Sequence, residues 1–210
     1  VIERARDSGV SKVFMPNIDD TTVEAMLNVC TAYKGYCFPM IGFHPTSVGA
    51  DSLFRIYEMK KLLSGEHPFV AVGEVGMDLY WDKTYLKEQQ KALDIQIQWA
   101  LEYHLPLVLH CREAFPELFE VMEPYKKTEL SGIFHSFTGT LEEAGQVLEY
   151  ARFFFGINGV VTFKKSSLAE VLPHIPLGRI VLETDSPYLA PVPFRGKRNE
   201  SSYIKNVAMK

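Results

Sequence analysis

The sequence predicts an α/β protein of the TIM (β/α)8-type barrel class, and three observations point there. Short apolar, β-branched or aromatic runs alternate with longer amphipathic stretches along the whole chain. The runs are apolar enough to suit strands buried on both faces, as in a parallel sheet. Residues able to bind a cation or move a proton stand at the end of nearly every run. The first two observations fit an open, doubly wound sheet equally well. The third favours the barrel, where the chemistry gathers at the carboxyl ends of the strands.

The chain opens on Val1-Ile2-Glu3-Arg4-Ala5-Arg6, which reads as the middle of a helix. Strands are expected over 12–18, 37–43, 69–75, 106–110, 132–137, 153–158 and 179–184, and helices over 22–33, 52–63, 84–103, 114–125, 141–150 and 167–174. Within 84–103, Leu86, Leu93, Ile97 and Ala100 recur at helical spacing. Asp51, Thr140 and Ser166 are expected N-caps. Seven strands and a start inside a helix leave room for one strand before Val1. A full barrel runs to ~250 residues. The expectation is therefore one barrel domain, residues 1–210, lacking its first strand and the end of its last helix.

The totals exclude several classes. A formal net charge of −4 provides no global basic field for nucleic acid, so any such partner must be held by a few placed cations or by bound metal. Cys30, Cys37 and Cys111 are odd in number and form no CxxC pair, which fits a reducing cytoplasm better than a disulfide framework. No apolar run approaches the ~20 residues of a membrane span. No exposed apolar stripe stands out, so a monomer is expected.

The strand-end residues carry the functional reading. The second run ends Gly42-Phe43-His44-Pro45, the third ends Gly73-Glu74-Val75-Gly76-Met77-Asp78, and the fourth ends His110-Cys111-Arg112. The fifth ends Phe134-His135-Ser136-Phe137-Thr138-Gly139, and the seventh ends Glu183-Thr184-Asp185-Ser186-Pro187. A buried, unpaired charge costs several kcal/mol. One such residue reads as a satisfied structural group; five on different strands, His44, Glu74, His110, His135 and Asp185, do not. Neighbouring carboxylates repel unless a cation sits between them. Two His, one Glu and one Asp make a mixed nitrogen and oxygen donor set suited to Zn, Mn, Ni or Fe, while Mg prefers more oxygen. His67, His104 and His174 lie at strand entries or in loops and read as structural or solvated, and Cys111 reads as a small apolar strand residue.

These segments, together with Leu182 to Leu189 and Arg195-Gly196-Lys197-Arg198-Asn199-Glu200, resemble the TatD family of metal-dependent deoxyribonucleases, within the amidohydrolase-like barrels. They occur in family order and cover almost the whole chain. The resemblance implies one or two divalent metal ions (Mg, Mn or Zn), with Glu74 bridging, His110 and His135 on the second metal, and Asp185 on the first. It also implies a His-x-His pair at the end of strand one, and no His-x-His occurs in this sequence. Ser201 stands where the family usually has proline after Asn199-Glu200.

The activity implied is hydrolysis of phosphodiester bonds in DNA, from an end or in single strands. Asp185 is expected as metal ligand and general base, with His44 facing the phosphate or leaving group. Arg112, Ser136, Thr138, Lys197 and Arg198 are expected to contact substrate. Tyr80 and Trp81 are placed to stack on a base or to cover the barrel mouth. Fold and ligands do not separate this activity from hydrolysis of an ester, lactone or amide, or from a non-catalytic metal-binding barrel.

Overall fold

Strand and helix alternate along all 210 residues, Val1–Lys210, of the computed structural model. In chain order the elements are α1 (Ile2–Asp7), β1 (Val13–Pro16), α2 (Val23–Ala32), β2 (Cys37–Met40), α3 (Ser52–Lys60), β3 (Val72–Asp78), α4 (Leu86–Glu102), β4 (Leu107–Arg112), α5 (Phe115–Met122), β5 (Gly132–Phe134), α6 (Leu141–Leu148), β6 (Phe153–Ile157), α7 (Leu168–Val171), β7 (Ile180–Leu182) and α8 (Ile204–Ala208). All seven expected strands are present, and those whose register is defined pair in parallel, β3 with β4 and β6 with β7. No helix is long and apolar enough to cross a membrane.

The chain divides into two compact units, residues 14–133 and residues 1–13 with 134–210. In the first, β1 pairs with β2, β3 pairs with β4, and α4 packs on β3. Its core is Ile41, Phe43, Val72, Val75, Met77, Leu93, Ile97, Trp99, Leu107 and Leu109, all nearly inaccessible to water. Burying each such side chain contributes roughly 1.5–3 kcal/mol. Every residue of β3 is buried, as a strand covered on both faces requires.

Strand β3 differs from expectation in a way that matters for the site. The apolar run suggested 69–75; the strand runs to Asp78, which pairs in register with Arg112. Gly76 carries it past His110. Its φ is +142°, and a Cβ there would run into the His110 carbonyl, so only glycine allows this approach. Strand β2, expected to reach residue 43, stops at Met40, and only Ile41 still bridges to Val72.

Three buried amide side chains satisfy the backbone where the ladder gives out. Asn17 accepts from the Gly42 N–H at 2.9 Å and donates to the Gly42 carbonyl at 2.8 Å. Gln96 does the same for Phe43, at 2.6 and 3.3 Å. Gln89 clasps Asp78 at 2.9 and 3.0 Å. A buried backbone group without a partner is costly, so these amides fix the segments that carry His44 and Asp78.

In the second unit the core is aromatic. Phe134 meets Phe153 edge-on at 5.5 Å, and Phe137 meets Phe155 at 5.0 Å. Arg179 donates to the carbonyls of Phe153 and Tyr150 at 2.6 and 2.7 Å, tying β6 to the entry of β7. Thr140 caps α6 through a reciprocal box with Glu143, as expected. Asp51 precedes α3 but makes no side-chain cap bond, and Ser166 accepts from Leu168 N–H just ahead of α7. Arg4 of α1 forms a two-pronged ion pair with Glu200, at 2.6 and 2.7 Å.

Candidate metal centre

His44, Glu74 and His110 offer three ligand atoms that all lie within 4.8 Å of one another. Each is placed by local structure. His44 begins a single 3-10 turn (Pro45–Ser47), and its Nδ1 is engaged by Thr46 Oγ1 at 2.7 Å and Thr46 N–H at 3.2 Å. That leaves Nε2 to face Glu74 Oε1, at 3.6 Å. The His44 and His110 rings meet edge-on with centroids 4.6 Å apart. Glu74 is the extra residue of a β-bulge: Gly73 pairs with Val108 and Val75 with Leu109, so Glu74 has no opposite number. Bulges re-aim a side chain in this way. Gly73 must be small for β3 to lie against β4, since a Cβ there would lie 2.6 Å from Val108 Cβ.

His110 is clasped by two carboxylates. Its Nδ1 lies 3.0 Å from Glu74 Oε1 and its Nε2 lies 2.9 Å from Asp78 Oδ2. An ionised carboxylate only accepts, so both ring nitrogens donate and the imidazolium is the favoured form. Burial works against that charge more strongly than any other single influence, but the hydrogen bonds and charges of Asp78 and Glu74 together outweigh it and raise the pKa to about 9. Asp78 is itself only 3 % exposed. Burial pushes its carboxyl up, and the opposing pull of His110, the Tyr80 N–H and the Arg112 charge brings the net shift down.

Two imidazoles and a carboxylate turned on one point make a mixed donor set that fits a divalent ion of the Zn or Mn type. A cation there would take the place of the proton that His110 now shares with Glu74, and Asp78 would remain as the outer partner that orients the ring.

In the second unit, His135 and Asp185 come together. His135 Nε2 is 3.4 Å from Asp185 Oδ1, and His135 Nδ1 donates to Glu183 Oε2 at 2.5 Å. The other Glu183 oxygen accepts from the Ser136 N–H at 2.5 Å. Ser136 has a φ of +49°, and its Oγ accepts from Asn158 Nδ2 at 2.7 Å. Gly156 leaves room for Glu183, whose Oε1 lies only 2.7 Å from where a Cβ would stand. Thr138, Lys197 and Arg198 are exposed, and Arg112 is exposed with its guanidinium over the Tyr80 ring.

The structure therefore adds His44, read from sequence as facing substrate, to the residues able to hold metal. It also shows Asp78, Glu183 and Asn158 in orienting roles that the strand-end reading missed. The available signal was nearness in sequence: Asp78 lies four residues beyond Glu74 on β3, and Glu183 lies two before Asp185 just past β7.

Comparison with known proteins supplies the family. A family model described as TatD related DNase matches residues 1–210. Among curated proteins, the chain is 35% identical over 209 residues to the Bacillus subtilis metal-dependent hydrolase YabD, covering 99% of this chain and 81% of that protein. It is 32% identical over 219 residues to the 3'-5' ssDNA/RNA exonuclease TatD of Pantoea ananatis, with the same 99% and 81% coverage. Among solved structures, the TatD homologue YJJV of Escherichia coli superimposes with a TM-score of 0.86 at 27% identity, covering 98% of this chain and 79% of that one. The parallel α/β pairing, the barrel fold of these neighbours and the clustered donors agree, and the chain belongs to the TatD family of metal-dependent hydrolases, enzymes that act on ester bonds.

Proposed function

We propose that this hydrolase cleaves phosphodiester bonds in DNA, removing nucleotides from a single-stranded 3' end. The observation that carries the reading is the trio His44, Glu74 and His110, whose donors lie within 4.8 Å of one another. The relative described as a 3'-5' ssDNA/RNA exonuclease supports the choice of substrate. Residues 1–210 act as one hydrolase domain, as a monomer in a reducing cytoplasm, where Cys30, Cys37 and Cys111 form no disulfide.

A divalent ion in such a site acidifies bound water and neutralises charge on the phosphate. The chain's own residues do the rest. Glu74 and His110, with His44 beside them, would hold the ion, and His135 with Asp185 are the proposed metal ligands of the second unit. Asp78 keeps the His110 ring from turning, and Glu183 does the same for His135. Asp185, the more open of the acidic residues at 30 % side-chain exposure, takes the proton from the attacking water. Arg112 in the first unit, and Ser136 and Thr138 in the second, are the proposed substrate contacts, with Lys197 and Arg198 for backbone phosphate.

The test is digestion of 5'-labelled single-stranded DNA with Mg or Mn. The expected result is a ladder that shortens stepwise from the 3' end and disappears with a chelator. Intact DNA, with metal-dependent opening of a lactone or simple ester instead, would overturn the proposal.

A further inference from the structure

Just beyond β3, two aromatic side chains stand in solvent where a buried core would have welcomed them. Trp81 is 73% exposed and Tyr80 46%. Their rings meet edge to face with centroids 4.7 Å apart and planes at 87°. The Arg112 guanidinium lies 3.6 Å from the Tyr80 ring centroid and 5.4 Å from that of Trp81. Such a cation–aromatic stack fixes both partners without burying them. Trp81 also forms one wall of a cleft of about 160 Å³, lined by Pro45, Thr46, Val48, Asp78, Tyr85 and Gln89 among others.

This cleft abuts the metal centre through covalent neighbours. Pro45 follows His44, Asp78 bonds His110, and Arg112 lies two residues past His110 on the same strand face. We infer that Trp81 and Tyr80, held by Arg112, form a stacking shelf for a nucleobase of single-stranded nucleic acid whose phosphate lies at the metal centre; the inference rests on the nuclease reading above. Three features select this ligand. The exposed indole offers a π-face, and every base stacks on one. A base paired inside a duplex is not free to do so, which selects single strands. The polar atoms of the cleft are largely engaged already, Thr46 with His44, Gln89 with the Asp78 backbone and Asp82 with Thr84, so few remain to read a base edge. The shelf therefore accepts any base. With a net charge of −4, stacking also replaces the broad basic field that other nucleases use.

The chain has two tryptophans, and Trp99 is 1% exposed, so quenching of indole fluorescence on binding reports Trp81. The experiment titrates the full chain with its metal bound, using phosphorothioate-linked oligothymidylate to prevent cleavage and a phosphorothioate-linked abasic oligonucleotide of equal length. The expected result is quenching by oligothymidylate and binding at least tenfold tighter than the abasic chain, in the range typical of one stacked base. Followed by anisotropy of a labelled oligonucleotide, Trp81→Ala should bring that ratio close to one, while Trp81→Phe keeps most of it. Equal affinity for both oligonucleotides, absence of quenching, or an unchanged ratio in Trp81→Ala would overturn the shelf. Any of these alongside intact metal-dependent DNA cleavage removes the shelf alone, whereas loss of the nuclease reading shows as absence of cleavage by the unaltered protein.

Discussion

Replacing Glu74 with alanine is expected to abolish metal binding and hydrolysis while the protein stays folded. Glu74 is the carboxylate of the trio, 3.0 Å from His110 and 3.6 Å from His44. Without it two imidazoles remain, with no negative charge between them to balance a divalent ion. Removal of an outer partner of a metal ligand costs about 10- to 100-fold in affinity or activity, and loss of the ligand itself should exceed that, by roughly 10³-fold or more. Folding is less exposed to the change. The side chain lies on a bulge with no residue opposite, and β3 keeps its ladder to β4 through Gly76, Met77 and Asp78. Glu74→Gln retains the shape but not the charge and should fail in the same way. Metal titration calorimetry, the nucleotide-release assay and a thermal melt separate the three properties. Near-normal metal affinity in either variant would remove Glu74 from the centre.

The second large effect is the response of the chelator-treated protein to pH. The folded-state pKa of His110 is about 9, against 6.5 for an unconstrained imidazole. The folded state therefore binds the proton more tightly than the unfolded chain. Its contribution to stability is complete below pH 6.5 and is lost as the pH rises through 9, with a total on the order of 3 kcal/mol. Denaturant melts of metal-free protein should weaken across this window. Asp78→Asn removes one of the two charges that hold the proton, and should move the loss to lower pH. The same proton must leave when metal binds. Calorimetry near pH 7.5 in buffers of different ionisation enthalpy should show release of about one proton per ion. Stability that is flat between pH 6.5 and 9, in protein shown to be metal-free, would contradict the clasp of His110 by two carboxylates.

Much of this was legible in the sequence because strands announce themselves by composition. The runs containing Val72, Leu107 and Phe153 were apolar enough to be read as buried strands, and the polar residues ending them stood out by contrast. Thr140 declared the start of α6. What could not be read depended on contacts between distant segments. His44 and His110 are 66 positions apart, and nothing local says that one ring meets the edge of the other. The apolar run expected over 69–75 stopped short of the strand's end, because Gly76 at positive φ carries the strand on to Asp78. The end of β2 was misjudged in the opposite sense: Phe43 is apolar and buried, but Gln96, 53 residues later, takes its backbone bonds in place of a neighbouring strand.

The central claim is that His44, Glu74 and His110 together hold a divalent ion. Anomalous diffraction from a crystal soaked in Mn or Zn tests it most directly. The account predicts a peak with a nitrogen of each histidine and a Glu74 oxygen within about 2.3 Å, and His110 still bonded to Asp78. A peak elsewhere, with His110 still clasped between Glu74 and Asp78 and His44 turned away from the ion, would contradict it.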